Sequence, residues 1–307
     1  MRGQTSSNRA RGAALAFIVA LDAMTSVAFA PPFWGEAGHR LVGEAAAGAI
    51  PAEMPAFFHN AAAQLAYLNP EPDRWRDRAE RHDDAALDED GAPEHFIDLE
   101  LLTPARAAGL LRAPSRTAFA DSLRAMHLSA ARVGVLPFAM LEMTQRLRVE
   151  FRLWRHAAPA DRTWIEQRIV NDAGILGHYA ADGSNPAHTS VHHNGWTGPN
   201  PNGYTTDDHF HARFETTFVQ ARVRLGDVEA VATPAPRAFP DVRAAVVAYL
   251  QRSNAEIDHL YTLEKERSFD AHNTSPAHVR FAAERLAAGA AMLRDLWWTA
   301  WVTSADE

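Results

Sequence analysis

Two histidine–carboxylate pairs at helical spacing place the strongest constraint on how this chain can fold. His178 and Asp182 are four residues apart, and His211 and Glu215 repeat that interval. Side chains four residues apart lie on one face of an α-helix, so each pair predicts a helical segment that presents two potential metal ligands together. With His188 between the pairs, the stretch offers five nitrogen and carboxylate donors, more than one tetrahedral ion requires. The pattern favours a multinuclear zinc site, and hydrolysis is the first chemical hypothesis.

Composition narrows the choice of ligands and partners. The chain has 307 residues, of which 47% are hydrophobic, enough for a substantial core. Its formal net charge of −8 gives no basic surface of the kind that announces nucleic-acid binding. Bound cations could still attract a phosphodiester locally. Because the chain has no cysteine, histidine and the carboxylates are its only strong side-chain metal ligands.

Residues 1–30 have the pattern of a secretory signal peptide. Three arginines fall within the first eleven residues, an apolar run covers 13–21, and Ala28-Phe29-Ala30 is a cleavage motif. Cleavage is therefore expected between 30 and 33, leaving 31–307 as one phosphoesterase domain exported to the periplasm or the exterior. The apolar run is too short to span a bilayer, so no stable membrane anchor is expected, although an anchor remains the alternative.

Apolar residues at helical spacing predict an all-α, multi-helix single domain without strands or internal repeats. In one segment, Asp161 is a candidate N-cap and Trp164 begins an apolar stripe that continues to Leu176. Residues 69–94 are charged and lack apolar periodicity, so we predict a long loop there. Residues 183–207 are rich in Gly, Asn and Pro and are also predicted to be irregular. The predicted helices cover 38–50, 115–130, 137–155, 161–181, 210–225, 241–265 and 276–302.

Three shorter motifs precede the paired ligands in the chain. They are Trp34-Gly-Glu-Ala-Gly-His39, Pro72-Asp73-Arg74-Trp75-Arg76 and His95-Phe96-Ile97-Asp98. Each has a simple structural interpretation by itself: a buried aromatic near a helix start, a surface ion pair, and a capping histidine. An i, i+4 pair is likewise often a surface contact worth a few tenths of a kcal/mol. The order of all the motifs along one chain carries more information than any one of them.

This ordered set resembles the zinc-dependent S1/P1 nuclease and bacterial phospholipase C superfamily, and the resemblance covers residues 34–215. It implies an all-α domain of the phospholipase C/P1 nuclease type with three zinc ions in a cleft. It further implies that Asp182 bridges two ions and that Asp73 is catalytic, orienting the attacking water while also binding metal. Phe96 matches a position where the nucleases stack an aromatic ring on a base. The implied ligand sets are Asp73, His95, His178 and Asp182 for one ion, His188, His211 and Glu215 for the second, and Trp34, His39 and Asp182 for the third.

Two departures from the superfamily pattern keep alternatives open. Glu215 resembles the phospholipase branch, since the nucleases typically have Asp there, whereas the spacing from Trp34 to His39 resembles the nucleases. Pro31-Pro32-Phe33 would stand ahead of Trp34 after cleavage at Ala30, and Trp34 would then lack the free amine that the third zinc takes.

We expect an exported phosphodiesterase, more specifically a single-strand-preferring endonuclease that hydrolyses DNA or RNA by direct attack of water. Its partner is then single-stranded nucleic acid or another phosphoester, and a monomer is expected. A zinc-dependent phospholipase C is the first alternative, and a non-catalytic exported zinc-binding protein is the second.

Overall fold

The described residues fold entirely into helices and irregular connections. The computed structural model describes Met1 and residues 35–102, 109–232 and 235–305, and these contain no β-strand. The all-α prediction is confirmed for this part of the chain, whereas the predicted signal segment and Trp34 lie outside the described residues. No helix in the described ranges combines the length and hydropathy needed to cross a bilayer.

The helices vary from single turns to 28 residues. A π-helix covers Arg213–Phe218, and 3-10 turns cover Ala92–His95, Leu99–Leu101 and Pro186–Thr189. The α-helices are α1 (Glu36–Gly48), α2 (Ala56–Asn60), α3 (Ala62–Leu68), α4 (Glu71–Trp75), α5 (Arg78–Asp83), α6 (Ala85–Gly91), α7 (Arg116–Arg124), α8 (Ala130–Val133), α9 (Leu136–His156), α10 (Pro159–Asp182), α11 (Phe210–Ala212), α12 (Val219–Arg222), α13 (Leu225–Val231), α14 (Val242–Asn254), α15 (Ile257–Glu266) and α16 (Pro276–Thr303).

The core lies where α1, α3, α9, α10 and α16 pack against one another. Trp297 on α16 is fully buried there, and its indole N–H donates to the carbonyl of Ala173 at 3.1 Å. Phe58 meets the same indole edge to face, with ring centroids 5.2 Å apart. An aromatic side chain whose polar atom is satisfied can be buried completely, so Trp297 joins α16 to α10 at the centre of the bundle.

The C-terminal half of α10 runs through the middle of this core. Every residue from 173 to 182 is buried, as expected for a helix enclosed by neighbours on all sides. Glycines allow the close approach of α3: a Cβ on Gly174 would lie 2.4 Å from the Cβ of Leu68. One on Gly177 would lie 2.2 Å from Nδ2 of Asn69. The packing therefore carries the end of α10, with its His178–Asp182 pair, into the interior.

The N-terminal half of α10 differs from its prediction. Trp164 does not join the apolar stripe, because α10 extends beyond the core there and leaves the indole 65% exposed. Asp161 lies within the first turn and is not the N-cap, which is Ala158, since Pro159 begins the helix. Proline suits the first helical position because its missing N–H has no helical acceptor there.

The prediction of a long loop over 69–94 is wrong, because α4, α5 and α6 occupy most of this segment. Helices of five to seven residues contain too few turns to show apolar periodicity. They are set by local signals instead: Pro72 in the first turn of α4, and Asp84, whose carboxylate accepts from the Ala86 N–H to cap α6. The segment 241–265 is also two helices rather than one, interrupted between α14 and α15.

A buried carboxylate lies in the groove between α9 and α10. The side chain of Glu150 is 3% exposed, and its Oε1 accepts from Nη2 of Arg168 at 2.9 Å. Its Oε2 is buried without a hydrogen-bond partner among the described residues. Burial raises the pKa of Glu150 to about 7, with repulsion from Asp172 in the same direction and Arg168 opposing both.

This raised pKa predicts a pH-dependent contribution to stability. An unfolded glutamate has a pKa near 4.3, so the folded state holds the extra proton between that value and about 7. The contribution of Glu150 is thus fully present below the unfolded pKa and is lost as pH rises through about 7. Between pH 5 and pH 8, wild type should lose about 1–2 kcal/mol of unfolding free energy relative to Glu150→Gln, after allowance for solvent screening. Urea denaturation at the two pH values measures this, and parallel pH profiles would contradict it.

Candidate metal centre

Eight of the nine predicted metal ligands come together in one buried cluster, and the ninth, Trp34, lies outside the described residues. They are brought in by seven separate elements, from α1 to the π-helix, so the cluster forms only when the bundle is assembled. Three groups within it have ligand atoms close enough to share an ion. The groups are His39, Asp73 and His178; His95, His178 and Asp182; and His188, His211 and Glu215.

Asp182 lies at the centre of the cluster and is completely buried. Its Oδ2 is 3.1 Å from Nδ1 of His95 and 3.2 Å from Nε2 of His178. Its Oδ1 faces the other way, 3.5 Å from Nε2 of His39 and 3.7 Å from Nδ1 of His188. A carboxylate whose two oxygens face different sets of histidines has the geometry needed to bridge two cations.

Asp73 closes the same region from the side of α4. Its Oδ1 is 3.7 Å from Nε2 of His178 and 3.9 Å from Nδ1 of His95, while its Oδ2 is 3.7 Å from Nε2 of His39. The rings of His39 and His178 stack with centroids 4.0 Å apart. Asp73 is 15% exposed, which makes it the most exposed of these four residues.

The second half of the cluster is built on the π-helix. His211 Nε2 lies 2.8 Å from Oε2 of Glu215, and His188 Nε2 lies 3.4 Å from the same oxygen. A π-turn inserts one residue into the helical repeat, a device common at functional sites, yet the His211–Glu215 pair still meets. Asn185 holds Glu215 in place by donating from Nδ2 to Oε2 at 3.0 Å.

Hydrogen bonds on the outer nitrogens orient three of the histidines. His39 Nδ1 lies 3.2 Å from Oδ1 of Asn69, and His178 Nδ1 lies 3.1 Å from the carbonyl of the same residue. His188 Nδ1 lies 2.7 Å from the carbonyl of His95. Each oxygen requires an N–H donor, which fixes the proton on Nδ1 and leaves Nε2 as a lone pair turned inwards. Metal-binding histidines are usually held in this way.

Several inward-facing atoms have no hydrogen-bond partner among the described residues, which is the condition that a bound cation would satisfy. A buried polar atom without a partner costs about 1–3 kcal/mol, and five such atoms face one region. His211 Nε2 belongs to this set despite its 2.8 Å approach to Glu215, because the contact lacks the alignment of a hydrogen bond. The atoms are His39 Nε2, Asp73 Oδ1, Asp182 Oδ1, His211 Nε2 and Glu215 Oε1.

The electrostatics of the cluster also match a cation site. Burial lowers the pKa of His211 to about 4 and that of His39 well below its usual range, so both imidazoles are neutral ligands near pH 7. Burial likewise raises the pKa of Glu215 to about 8, and that of Asp73 to about 8 with repulsion from Asp182. Bound cations reverse such carboxylate shifts, since they replace the lost solvation. The donor set of neutral imidazoles and carboxylates therefore fits divalent metal.

A cavity of about 400 Å³ opens onto this cluster. His95, His188 and His211 line its floor, and Phe96 and Asp98 form part of its wall. Asp98 is buried and its Oδ1 has no hydrogen-bond partner among the described residues. Burial, with repulsion from Glu100, raises the pKa of Asp98 to about 7. The cavity thus combines candidate metal ligands, an aromatic ring and a carboxyl group that can be protonated near neutral pH.

The backbone around Phe96 is fixed on both sides. Ile97 donates to the carbonyl of His188 at 2.9 Å, and Leu136 donates to that of Phe96 at 3.2 Å. Gly134 makes the second approach possible, because its φ of +87° disfavours other residues and a Cβ there would lie 2.0 Å from the Phe96 oxygen. The Phe96 ring is therefore positioned by the same contacts that position His95 and His188.

Some of the site could not be found from the ligand spacing. Asn69 contacts both His39 and His178, and Asn185 supports Glu215, but neither residue type is a strong metal ligand. In the sequence, Asp98 stood out only as the last residue of the His95-Phe96-Ile97-Asp98 motif. A fourth group of potential ligands, Asp207, Asp208 and His209, is exposed and lies outside the buried cluster.

Comparisons of the chain with protein-family models, with curated proteins and with solved structures found no match.

Metal binding predicts a stepwise loss of ions in variants. After exchange into zinc buffer and dialysis, Glu215→Gln should lose about one equivalent of metal relative to wild type. Asp182→Asn should lose more, because both oxygens of Asp182 face histidines. Asp208→Asn, in the exposed group, is the matched control and should retain the wild-type content. Elemental mass spectrometry gives the stoichiometries, and equal metal content in all four proteins would rule out this cluster as the site.

Proposed function

We propose that this chain is an exported zinc-dependent phosphodiesterase of the phospholipase C/P1 nuclease type that cleaves single-stranded DNA or RNA. The observation that carries the proposal is the convergence of eight candidate ligands in one cluster, three of which line a cavity that also has an aromatic wall. Structural zinc sites are closed by four protein ligands, whereas catalytic sites leave a position open to substrate. A polynuclear cluster beside a cavity fits the second kind.

Three zinc ions are proposed, with the ligand sets that the superfamily resemblance implies. Asp73, His95, His178 and Asp182 would hold the first. His188, His211 and Glu215 would hold the second, and His39 with Asp182 would contribute to the third. Zinc bound there would lower the pKa of a water molecule and neutralise charge on the phosphate oxygens.

Two residues at the edge of the cluster would act on the substrate side. Asp73 combines ligand geometry with partial exposure, which suits a carboxylate that orients the attacking water. Arg76 lies beside it, and its positive charge opposes the rise in the pKa of Asp73. Asp88 holds the Arg76 guanidinium through bonds of 2.9 and 3.3 Å. A guanidinium fixed in this way can donate to a phosphate without losing much side-chain entropy.

The cavity wall supports a nucleobase as the neighbouring group. Phe96 offers an aromatic face, and stacking of this kind accepts any base, which suits a single-strand preference. Asp98, with an unpartnered oxygen and a pKa of about 7, can donate or accept at the edge of a base. Arg132 lines the same cavity and adds positive charge for the backbone.

The phospholipase alternative requires a pocket for a cationic head group, and the acidic cavity behind His95 is the place to look. Four carboxylates and Trp75 line it, but each carboxylate already accepts hydrogen bonds from the protein. Asp77 and Asp84 accept from backbone N–H groups, Asp88 from two arginines, and Glu94 from Arg116 and Tyr179. Carboxylates occupied in this way have little capacity for a further cation.

Hydrolysis assays test the proposal. Metal-loaded protein is offered single-stranded DNA, RNA and phosphatidylcholine vesicles, with Asp182→Asn as the inactive partner and Asp208→Asn as the control. We expect both nucleic acids to be cleaved by wild type and by Asp208→Asn but not by Asp182→Asn, since loss of the bridging carboxylate removes metal. Cleavage of the lipid alone would show that the protein is a phospholipase C and not a nuclease. A fully metallated protein that cleaves none of them would be a non-catalytic zinc-binding protein.

Phe96→Ala should separate binding of the base from the chemical step. Removing a stacked base contact costs about 1–3 kcal/mol, so KM for a short single-stranded oligonucleotide should rise about tenfold with a smaller change in kcat. An abasic oligonucleotide of the same length has nothing to stack, and its kinetics should change little.

The control is Trp164→Ala, which removes an exposed aromatic on α10 about 21 Å along the helix from His178. It should leave both substrates unaffected. Equal effects of Phe96→Ala on the normal and abasic substrates would show that Phe96 has only a structural role.

A further inference from the structure

A separate cavity, of about 460 Å³, lies between α14, α16 and the connector over 235–240. We call it the α14–α16 pocket. None of the eight candidate metal ligands lines it. Ser184 reaches it two residues beyond Asp182, and Tyr249 in its wall donates to the carbonyl of Ala180 at 2.6 Å. The pocket is therefore separated from the metal centre by the C-terminal end of α10.

Three arginines line the α14–α16 pocket, and none has a close ion pair. Arg237 and Arg252 form no ion pair with any described residue, and Arg237 instead lies over the ring of Phe239 at 5.7 Å. Arg285 is 3.9 Å from its nearest carboxylate oxygen, on Glu256, which is too far for a hydrogen bond. The chain has a net charge of −8, so a cavity lined by three weakly neutralised guanidinium groups is a local concentration of positive charge in an acidic protein.

The two carboxylates in the wall are already occupied. Asp295 Oδ1 accepts from Nη2 of the buried Arg294 at 2.7 Å and from the backbone N–H of Arg237 at 3.1 Å. Glu256 Oε2 lies 3.2 Å from Nδ1 of His259. With Arg294 included, the region holds four guanidinium groups and two carboxylates. The lining therefore carries net positive charge.

Two buried polar atoms at this cavity have no hydrogen-bond partner among the described residues. Ser253 is 4% exposed and lines the cavity, yet its Oγ is unpartnered. The Nε of Arg285 is also buried without a partner. A buried hydroxyl and a buried guanidinium N–H each cost free energy unless an acceptor reaches them. Both atoms are donors, so both would be satisfied by an anionic oxygen.

The rest of the wall is apolar. Ala288, Ala291 and Met292 line one side along α16, and Phe239 lines the connector side. The volume falls within the range of small-molecule sites and exceeds what one inorganic anion fills. A ligand that uses the whole cavity has an anionic end and an apolar or aromatic remainder.

We propose that the α14–α16 pocket binds a phosphomonoester, with its phosphate on Arg252, Arg285 and the Ser253 hydroxyl and its organic part against α16 and Phe239. Guanidinium and hydroxyl donors are a common combination for phosphate oxygens. This site is distinct from the metal centre and does not depend on the reaction proposed for that centre.

Equilibrium dialysis of the metal-loaded protein tests the proposal, with inorganic phosphate and 5′-adenosine monophosphate as separate probes. Because phosphate also binds zinc, the measured quantity is the difference in bound equivalents between variants. Arg252→Gln/Arg285→Gln should bind one equivalent less than wild type, with unchanged zinc content. The single variant Arg252→Gln alters an exposed side chain, so it should fold normally and weaken that site about tenfold.

The matched control is Arg280→Gln. Arg280 is an exposed arginine on α16, the helix that also carries Arg285, and its guanidinium pairs with Glu284 at 2.8 Å. It should bind both probes as wild type does. Tighter binding of the nucleotide than of phosphate supports the apolar wall as part of the site, and equal binding supports an anion site that uses the arginines alone. If wild type, Arg252→Gln and the double variant bind the same number of equivalents with the same affinities, the proposal is wrong.

Discussion

The burial of one carboxylate determines much of this structure. Asp182 is inaccessible to solvent and faces four histidines, and burial keeps at least His39 neutral. Removing a charged carboxylate from water costs several kcal/mol unless charges or hydrogen bonds replace the solvation. Asp182 Oδ1 has no hydrogen-bond partner among the described residues, and the same is true of Glu215 Oε1. Divalent cations held between these residues are the economical source of compensation, and they would then contribute to folding as well as to chemistry.

The helical core and the candidate metal centre depend on the same contacts. The contact of α3 with α10 that packs Leu68 against Gly174 also places Asn69 where it orients His39 and His178. The backbone bonds that fix the segment after His95 run to His188 and Leu136, so that one segment supplies both a ligand and the cavity wall. A variant that loosens the core near Gly177 is therefore expected to affect metal affinity. Ligand geometry of this kind depends on rigid supporting contacts.

The sequence predicted those parts of the structure that depend on local spacing. The i, i+4 pairs predicted the helical segments that carry His178 with Asp182 and His211 with Glu215, and the long α9, α10 and α16 agree with their apolar periodicity. Helices α4 to α6 were not predicted because a helix of five to seven residues is too short to show apolar periodicity. The burial of Trp164 was wrongly predicted because periodicity does not show where a helix extends beyond the core. Asn69, Asn185 and the α14–α16 pocket depend on contacts between distant segments, which no spacing rule contains. The convergence of the candidate metal ligands could thus be predicted from the sequence, whereas the residues that hold them in place could not.

The most direct test of a metal centre is to locate the ions. Crystals grown with zinc, measured on either side of the zinc absorption edge, should show anomalous peaks within bonding distance of His95, His178 and Asp182, and of His188, His211 and Glu215. A further peak beside His39 would complete the proposed set of three. Crystals saturated with zinc that show no anomalous peak at Asp182 would contradict the account.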